Sequence, residues 1–407
     1  MWLYNIGICI YTALIRLTAL WYPKARQWSQ GRKGLFEDMR ARISDKDRVL
    51  WLHAASLGEF EQGRPIIERI RKEYPDYKIL LTFFSPSGYE VRKDYAGADY
   101  IFYLPADTPS NVRRFLDLAH PEVAIFMKSE FWLNMLSELN RRGVRTYLAS
   151  AIFRRNSVFF KPYGWLWRRA LNDFSAIFVQ DENSRELLGS LGIDRVVVAG
   201  DTRFDRVLTI SASVREIPVV KVFKGESRLF VAGSTWGADE ELLLPLINEN
   251  PDIKFVVAPH EMEESRINRF MQRVKGGAVR YTVCRTEVNA DAQVLILDVV
   301  GILASVYKYA DWAYIGGGFG AGIHNTLEAA TFGVPIAFGL RYKKFKEAVD
   351  MVALGAACSV ADAEALKGWF NPLRDDAEHL AEVGNMARDY TLKNCGATDK
   401  ITKSIFG

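Results

Sequence analysis

Residues 49–59 read VLWLHAASLGE, and this stretch indicates the fold of the amino-terminal half of the chain. Five residues typical of a buried strand, Val49 to His53, lead into a turn of mostly small residues, Ala54 to Gly58. A helical pattern then begins at Glu59. Strand, tight turn and helix in this order form the repeating unit of a parallel sheet that is covered by helices.

The same alternation extends on towards the carboxyl terminus. It predicts an α/β protein of two doubly wound, Rossmann-like domains that face each other across a cleft. The strands predicted for the first domain are Val49–His53, Lys78–Phe83, Tyr100–Leu104, Val123–Phe126, Arg145–Ala149, Ala176–Val179 and Arg195–Val198. Those predicted for the second domain are Leu229–Ala232, Lys254–Ala258, Ala278–Val283, Val294–Leu297, Trp312–Ile315 and Pro335–Phe338.

Changes in composition divide the chain into four segments. Residues 1–36 form an apolar and basic amino-terminal segment, 37–210 the first domain, 211–226 a linker, and 227–407 the second domain with carboxy-terminal helices. A chain of 407 residues is long enough for two cores. Its 49% apolar and 25% charged residues exclude disordered, collagen-like and multi-span membrane chains. Four widely spaced cysteines favour a reducing compartment.

Basic residues are concentrated in two stretches. Residues 1–36 hold five basic residues and no acid, and residues 139–172 hold eight and no acid, although the whole chain has a net charge of only +4. The remainder of the chain is therefore acidic. Two basic stretches on an acidic protein predict a specific anionic partner, for which nucleic acid is only one candidate.

Residues 1–22 read MWLYNIGICIYTALIRLTALWY, an apolar run with aromatic ends that a basic segment follows. At ~1.5 Å per residue this run is just long enough to cross a bilayer, and its flanks predict a membrane anchor. A cleaved signal peptide fits poorly, because the basic residues follow the apolar run. Both spanning and interfacial placement stay open, and a helix packed on the protein's own surface is the alternative.

The glycine-rich segment Gly316 to Gly322 follows a predicted strand, where doubly wound domains bind ligands. Glycine lets a backbone approach a phosphate, and the helix expected from about His324 would aim N–H groups at it. The acidic residue of a nicotinamide site is missing near Phe338, and no P-loop lysine follows the glycines. A turn without a ligand is the alternative.

Carboxylates also stand at predicted strand ends. Glu59 begins a helix after small residues, so it can act as a general base or simply cap the helix, and Glu130 poses the same question. Glu328 shares a helix face with Asn325, where it can bind ribose hydroxyls or act as a cap. The histidines expected at a ligand site are His260 and His324, whereas a structural role is expected for His53.

Four motifs stand in order along the chain: HAASLGE at 53–59, KSEFWLN at 128–134, GDTRFD at 200–205 and GIHNTLE at 322–328. With them the chain resembles the 3-deoxy-D-manno-octulosonic acid (Kdo) transferases, which glycosylate lipid A precursors. The resemblance implies a GT-B fold and inverting transfer of Kdo from CMP-Kdo to a hydroxyl of a lipid A precursor (lipid IVA) in lipopolysaccharide biosynthesis. It also implies a place at the cytoplasmic face of the inner membrane, with the amino terminus as anchor.

The resemblance implies roles for individual residues. Glu59 would take the proton of the acceptor hydroxyl, while Glu130 and Arg203 would stabilise the transition state. Arg203 stands where typical members have Lys, and Leu133 where they have Pro. Resemblance and strand-end positions together predict as donor-binding residues Pro259, His260, Gly301, Ile302, Leu303, Gly317, Gly318, His324, Asn325, Thr326, Leu327 and Glu328. The predicted acceptor-binding residues are Ser56, Gly58, Lys128, Arg154, Arg155, Lys161, Arg168 and Arg169.

The basic stretch at residues 139–172 interleaves cationic and aromatic side chains. Arg and Lys bind phosphate and aromatic rings meet acyl chains, so we expect this stretch to contact a phosphorylated, acylated acceptor at a membrane surface. RNA binding would use the same residue types. A buried aromatic helix with a solvated basic face is the other alternative.

We expect no metal and no other cofactor, with CMP-Kdo as a co-substrate. The only Asp-x-Asp sequence, Asp45 to Asp47, precedes the first strand, where a metal site for a sugar nucleotide would be misplaced. Basic side chains and helix dipoles can stabilise the leaving group instead.

Three classes of function are carried forward. Besides Kdo transfer, they are another GT-B glycosyltransferase or nucleotide-sugar epimerase that acts on a UDP- or ADP-sugar, and a membrane-tethered module that binds a nucleotide or lipid without chemistry. The expected partners are CMP-Kdo, a lipid A precursor and a membrane surface, without nucleic acid. The sequence leaves the oligomeric state open.

Overall fold

The computed structural model describes residues 1–284 and 291–407, which form two compact units. Unit 1 comprises Met1–Arg206 together with Cys395–Gly407, and unit 2 comprises Val207–Asn394. Each unit is built on one parallel sheet of seven strands with helices packed against it. The predicted α/β class with two doubly wound domains is confirmed.

The sheet of unit 1 reverses its strand order in the middle. Its strands are β1 (Arg48–His53), β2 (Tyr77–Phe83), β3 (Tyr100–Tyr103), β4 (Val123–Met127), β5 (Arg145–Ala151), β6 (Ala176–Val179) and β7 (Val196–Val198). They lie in the order β3, β2, β1, β4, β5, β6, β7, and each neighbouring pair is parallel. The order reverses between β1 and β4, so the carboxyl ends of these two strands form the crevice where such domains bind ligands.

Helices cover both faces of this sheet. They are α1 (Trp2–Thr18), α2 (Pro23–Gln30), α3 (Leu35–Arg42), α4 (Leu57–Glu73), α5 (Pro86–Arg92), α6 (Pro109–Ala119), α7 (Leu133–Arg141), α8 (Trp165–Leu171), α9 (Glu182–Gly189) and α10 (Thr202–Ala212), with 3-10 turns at Val158–Phe160 and Pro162–Gly164. Residues 49–53 of β1 are all buried, which explains why that strand is a continuous apolar run instead of an alternating pattern.

The amino-terminal helix α1 is shorter than the apolar run of residues 1–22. Among the described residues no single helix has the length and apolar character needed to cross a bilayer. Helices α1 and α2 meet that requirement only as a pair, and the chain bends by 119° between them. Membrane anchoring by residues 1–22 stays a prediction.

Unit 2 repeats the plan of unit 1. Its strands are β8 (Leu229–Thr235), β9 (Lys254–Pro259), β10 (Ala278–Arg280), β11 (Val294–Ile296), β12 (Trp312–Ile315), β13 (Ile336–Phe338) and β14 (Ala357–Ser359). They lie in the order β10, β11, β9, β8, β12, β13, β14, and all neighbours are parallel. The switch point lies between β8 and β12.

The helices of unit 2 are mostly short around that switch point. They are α11 (Pro218–Lys224), α12 (Gly237–Glu249), α13 (Glu264–Arg273), α14 (Tyr281–Cys284), α15 (Leu303–Val306), α16 (Leu327–Ala330), α17 (Lys346–Ala353), α18 (Ala363–Asp375) and α19 (Ala377–Lys393), with a 3-10 turn at Tyr307–Tyr309. The strand predicted at Ala278–Val283 ends at Arg280, because the chain turns into α14.

The last helix, α20 (Ala397–Phe406), packs on unit 1, whereas the predicted boundaries placed it in the second domain. The Phe406 ring stacks on Tyr74 with centroids 4.2 Å apart, and Asp399 pairs with Arg69 at 2.8 Å. The segment 211–226, which was predicted to be a linker, is partly helical. It contains α11, whose Val220 and Phe223 are buried in the core of unit 2.

Candidate active site

Glu59 lies in the first turn of α4, directly after the loop that leaves β1. Its Oε2 accepts the backbone N–H of Ala55 at 2.6 Å and that of Ser56 at 3.3 Å, and Ser56 completes a capping box. Glu59 therefore caps α4, one of the two roles that the sequence left open. Its Oε1 has no hydrogen bond within residues 1–284 and 291–407, so this oxygen is available to a ligand.

Glu130 lies in the loop that leaves β4, the strand next to β1. Its Oε2 accepts the indole N–H of Trp132 at 2.8 Å and lies 3.3 Å from Nε2 of His53. Burial raises the pKa of Glu59, and the negative charge of Glu130 raises that pKa further. The charge of Glu130 thus acts on Glu59 at the switch point of the sheet. Carboxylates with a shifted pKa beside a second charged group are typical of acid–base sites.

His53 connects Glu130 to the core of unit 1. The ring is buried, and its Nδ1 lies 2.8 Å from the hydroxyl of Thr82, which also accepts the indole N–H of Trp51 at 2.8 Å. Both contacts are satisfied when the Thr82 hydroxyl donates its proton to Nδ1 and an N–H at Nε2 faces Glu130. His53 is buried and satisfied, as expected, and it also holds Glu130.

Arg203 lies in the first turn of α10, and two nitrogens of its guanidinium contact one buried carboxylate. Its Nε and its Nη2 lie 2.8 Å and 2.7 Å from Oδ2 of Asp201, and its backbone N–H donates to Oδ1. The Thr202 hydroxyl donates to the carbonyl of Gln62 at 2.7 Å. Because Gln62 follows Glu59 by three residues, the start of α10 lies beside the first turns of α4.

The predicted acceptor residues fall into two groups in unit 1. Ser56 and Gly58 lie in the loop and first turn around Glu59. Lys128 follows β4 with a φ of 58°, a left-handed conformation that non-glycine residues adopt rarely and often near functional sites. Ser56 and Gly58 thus flank Glu59, and the charge of Lys128 partly offsets the rise in the pKa of Glu59.

The basic residues of the 139–172 stretch differ in what they contact. Arg154, Arg155 and Arg169 are exposed, and their side chains form no ion pair within the described part of the chain. Arg168 instead donates Nη1 to the carbonyls of Phe159 and Lys161, at 3.1 and 2.9 Å. Arg168 therefore ties two 3-10 turns together, and only part of its guanidinium is left for a phosphate.

Three rings stack at the carboxyl ends of β8 and β9 in unit 2. The ring of His260 stacks on that of Trp236, with centroids 4.8 Å apart, and on that of His324, at 4.3 Å. The indole N–H of Trp236 also donates to Nε2 of His324 at 3.3 Å. Burial lowers the pKa of His324, and the neighbouring His260 lowers it further. The predicted donor residues His260 and His324 are thus brought together.

The glycine-rich loop is explained largely by its own packing. The N–H of Gly317 donates to the buried carboxylate of Asp239 at 2.9 Å, so this N–H is not available to a phosphate. A Cβ on Gly318 would lie 2.5 Å from the backbone of Gly339. The turn without a ligand, which the sequence left as an alternative, accounts for both glycines.

The motif after that loop offers a buried hydroxyl. The Thr326 side chain is 1% exposed, and its Oγ1 has no hydrogen-bond partner among the described residues. Buried hydroxyls are generally paired, so Thr326 fits a ligand contact. Leu327 is fully buried and offers at most its backbone, while Asn325 donates Nδ2 to Glu328 at 3.0 Å. The helix expected from His324 is only the single turn α16, so it adds little dipole.

The segment Gly301 to Leu303 is linked to this motif through Tyr307. A Cβ on Gly233, near the end of β8, would lie 2.0 Å from the Tyr307 hydroxyl and 3.0 Å from Leu303. Burial raises the pKa of Tyr307, and the charge of Glu328 raises it further, so Glu328 lies near the same ring. Pro259 is the last residue of β9, where it pairs with Thr235 of β8.

Several residues at these sites were missed from the sequence. Asp239 binds Gly317, the N–H of Trp236 and the Tyr314 hydroxyl, and Asp201 holds Arg203. Asp239 stands three residues after Trp236, which is capping-box spacing without the usual Ser or Thr. Trp132 was part of a quoted motif, but spacing gave its indole no role. No group of three or more His, Cys, Asp or Glu side chains in the described chain is placed to hold a metal.

Comparison with known proteins finds similarity to one family of transferases. Residues 28–206 match the family model of 3-deoxy-D-manno-octulosonic-acid transferase (kdotransferase). The chain is 25% identical to the 3-deoxy-D-manno-octulosonic acid transferase of Haemophilus influenzae, over 95% of this chain and 92% of that one. It is 27% identical to the protein of that name from Bordetella pertussis, over 98% and 99% of the two chains.

Solved structures show the same fold. A UDP-GlcNAc 2-epimerase from Neisseria meningitidis aligns with a TM-score of 0.64 at 15% identity, over 88% of this chain and 99% of that one. MurG from Acinetobacter baumannii aligns with a TM-score of 0.56 at 13% identity, over 88% and 99%. These likenesses concern the fold and do not favour epimerase activity.

Fold and relatives together define the class of protein: the chain is a GT-B glycosyltransferase. Within that class the chain is similar to the Kdo transferases, as the four motifs predicted.

Proposed function

We propose that this protein transfers Kdo from CMP-Kdo to a hydroxyl of a lipid A precursor, with inversion at the anomeric carbon. The observation that carries the proposal is the carboxylate pair at the switch point of unit 1, in a chain whose curated relatives are Kdo transferases. The Glu59 carboxylate is half buried, one of its oxygens is fixed by the Ala55 amide, and the other is available.

The chemistry assigned to this pair balances in one step. The acceptor O–H gives its proton to Glu59 while its oxygen bonds to the anomeric carbon of Kdo. The bond from that carbon to the phosphate oxygen of CMP breaks, and CMP leaves with the electron pair. The raised pKa of Glu59 makes its ionised form a stronger base than an exposed glutamate, nearer the working pH.

Glu130 and Arg203 are assigned electrostatic roles in the same step. Glu130 is fixed by the Trp132 indole and by His53, so its charge can stabilise an oxocarbenium-like carbon without reorganising. Arg203 is held in place by Asp201 and presents a planar donor to the departing phosphate.

Unit 2 is assigned the donor. Aromatic rings of Trp236, His260 and His324 offer a stacking surface for the cytosine ring, and the unpaired hydroxyl of Thr326 offers a hydrogen bond. We propose that no metal is needed, because basic side chains stabilise the negative charge of the leaving phosphate. Full transfer after dialysis against EDTA would support this, and restoration by added Mg²⁺ alone would contradict it.

The proposed reaction is tested by mass spectrometry of products from purified protein, CMP-Kdo and a tetraacylated lipid A precursor. We expect the acceptor mass to rise by one or more Kdo units. A parallel binding assay compares CMP-Kdo with UDP- and ADP-sugars, and tighter binding of a UDP- or ADP-sugar would favour a different glycosyltransferase. Binding of CMP-Kdo without any product would leave only a binding module.

A further inference from the structure

A cavity of about 570 Å³ opens in unit 1 beside Glu130. One wall is the inner face of α1, with Tyr4, Ile8 and Tyr11, and the facing wall is formed by Val158 and Phe159. The remaining lining residues are Ser129, Phe131, Trp132, Ser157 and Trp167. Its volume lies within the range of about 300–1,000 Å³ that is usual for sites that bind small molecules.

The polar groups of two of the aromatic residues that line the cavity, Tyr4 and Trp132, are already bound. The Tyr4 hydroxyl donates to Oδ2 of Asp107 at 2.6 Å, and the Trp132 indole donates to Glu130. Ring faces and aliphatic side chains therefore make up most of the surface of the cavity. Such a lining suits a hydrocarbon ligand, with Glu130 as a polar group at one end.

The opposite face of α1 is an exposed apolar stripe. Leu3, Ile6, Ile10, Leu14 and Leu17 are each about half exposed or more, at the spacing of one helix face. A soluble monomer rarely exposes so much contiguous apolar surface. Tyr11 is 45% exposed and also lines the cavity, so the exposed stripe and the cavity are continuous along α1.

Charge beside the cavity matches a phosphorylated lipid. The segment that forms its facing wall carries Arg154, Arg155 and Lys161, while the inner face of α1 carries no charged residue between Met1 and Ile15. A ligand with an apolar chain and an anionic head satisfies both features. A nucleotide has an anionic group but no apolar chain, and a neutral sugar has neither.

We infer that this cavity receives one acyl chain of the glycolipid acceptor and that α1 is a wall of the acceptor site as well as a surface element. The inference rests on the proposed function, whose acceptor it specifies. An acyl chain seated beside Glu130 places the attached sugar near the carboxylate pair. Acceptors without that chain then bind more weakly, because they forfeit its burial.

Cavity-filling variants test this inference. Val158→Trp and Ile8→Trp add bulk inside the cavity, and Ile10→Trp adds the same bulk on the exposed face of α1 as a matched control. We expect the cavity variants to raise KM for the acylated precursor at least tenfold, while KM for CMP-Kdo and for the deacylated acceptor stays within twofold. Unchanged KM for the acylated precursor in both cavity variants would overturn the inference.

Photolabelling supplies a readout that does not depend on how well the variants fold. Wild-type protein is irradiated with an acceptor that carries a diazirine near the end of one acyl chain, and in parallel with a diazirine phospholipid in vesicles. We expect the acceptor to label peptides that contain Ile8 or Val158. Labelling confined to Leu3, Ile6 or Ile10 with both probes would assign α1 to bilayer contact alone. Wild-type protein that modifies neither acceptor would refute the proposed function instead.

Discussion

The carboxylate of Glu130 raises the pKa of the Glu59 carboxylate across the ends of two adjacent strands. One member of the pair is fixed by the amide of Ala55 and the other by the indole of Trp132. Each carboxylate therefore has a defined position before any substrate is bound. This preorganisation is what electrostatic catalysis requires.

Glu59→Gln separates the two roles of Glu59. A glutamine oxygen still accepts the Ala55 N–H and preserves the capping box, but it takes no proton. We expect the transfer rate to fall about 10²- to 10⁴-fold with CMP-Kdo affinity retained. Glu59→Ala also loses the cap, which should cost about 0.5–2 kcal/mol of stability. Turnover at the wild-type rate by Glu59→Gln, measured as product mass, would leave only the capping role.

The same substitution should stabilise the protein above acidic pH. Because the folded state raises the pKa of Glu59, folding is least favourable when this group is ionised, so stability declines as pH rises from the unfolded pKa through the folded one. We expect Glu59→Gln to melt higher than wild type at pH 8 and to converge with it near pH 4. Glu73→Gln, at the exposed end of α4, serves as control and should show no such gain. A lower melting temperature at pH 8 would contradict this.

Glu130→Gln should shift the acid limb of the pH–rate profile. Activity is lost as Glu59 takes up a proton, and removal of the neighbouring negative charge lowers the pKa of Glu59. The limb of kcat/KM therefore moves to lower pH, while kcat itself falls because the transition-state charge is lost. Glu68→Gln, on the same helix, should leave the limb in place. A shift to higher pH in Glu130→Gln would exclude the proposed coupling.

Tyr4→Phe should loosen the docking of α1. The Tyr4 hydroxyl donates to Asp107, whose carboxylate also accepts the N–H groups of Asn134 and Met135, and burial raises the pKa of Asp107 to about 6. Loss of a hydrogen bond to a buried carboxylate costs about 1.5–3 kcal/mol, so α1 should open more often by tenfold or more. Limited trypsin cleavage at Lys24 reports that opening.

The control for this prediction is Tyr11→Phe. The Tyr11 hydroxyl has no hydrogen bond within the described residues, so its removal should leave the rate of trypsin cleavage near that of wild type. Equal rates for the Tyr4 and Tyr11 variants would show that Tyr4 does not secure α1.

His260→Ala should raise the pKa of His324 towards its ordinary value. Both burial and the nearby His260 lower that pKa, and the substitution relieves both effects. An NMR titration of the His324 ring gives the midpoint directly. His379→Ala, on α19, is the control and should not move it. If His260→Ala left the midpoint unchanged, His260 would have no part in lowering the pKa of His324.

Most strands of both sheets could be predicted because parallel strands are continuous apolar runs. Val49–His53 and Trp312–Ile315 are examples, buried on both faces. The strand β14, Ala357–Ser359, was missed, since its sequence ACS has no β-branched or aromatic residue. The extent of Ala278–Val283 was overestimated because periodicity does not reveal where a short edge strand turns into a helix.

At the site, sequence identified the carboxylates but not what holds them. Glu59 and Glu130 stand directly after strands, which is a local signal. The partners of Glu130, His53 and Trp132, meet it only because β1 and β4 are neighbours in the sheet. The contact of Asp107 with Tyr4 spans 103 residues of sequence, and no spacing rule reaches that far. The phosphate role assigned to the glycine-rich loop overlooked a carboxylate, Asp239, on another helix.

The return of α20 to the first sheet has a practical consequence for anyone who wants the amino-terminal half by itself. A polypeptide that stops at residue 206 would leave Tyr74 and the apolar flank of α4 facing water, with Arg69 deprived of Asp399. Joining residue 206 to residue 395 through a short flexible connector would restore that cover. Such a spliced chain is the natural starting material for studying unit 1 without unit 2.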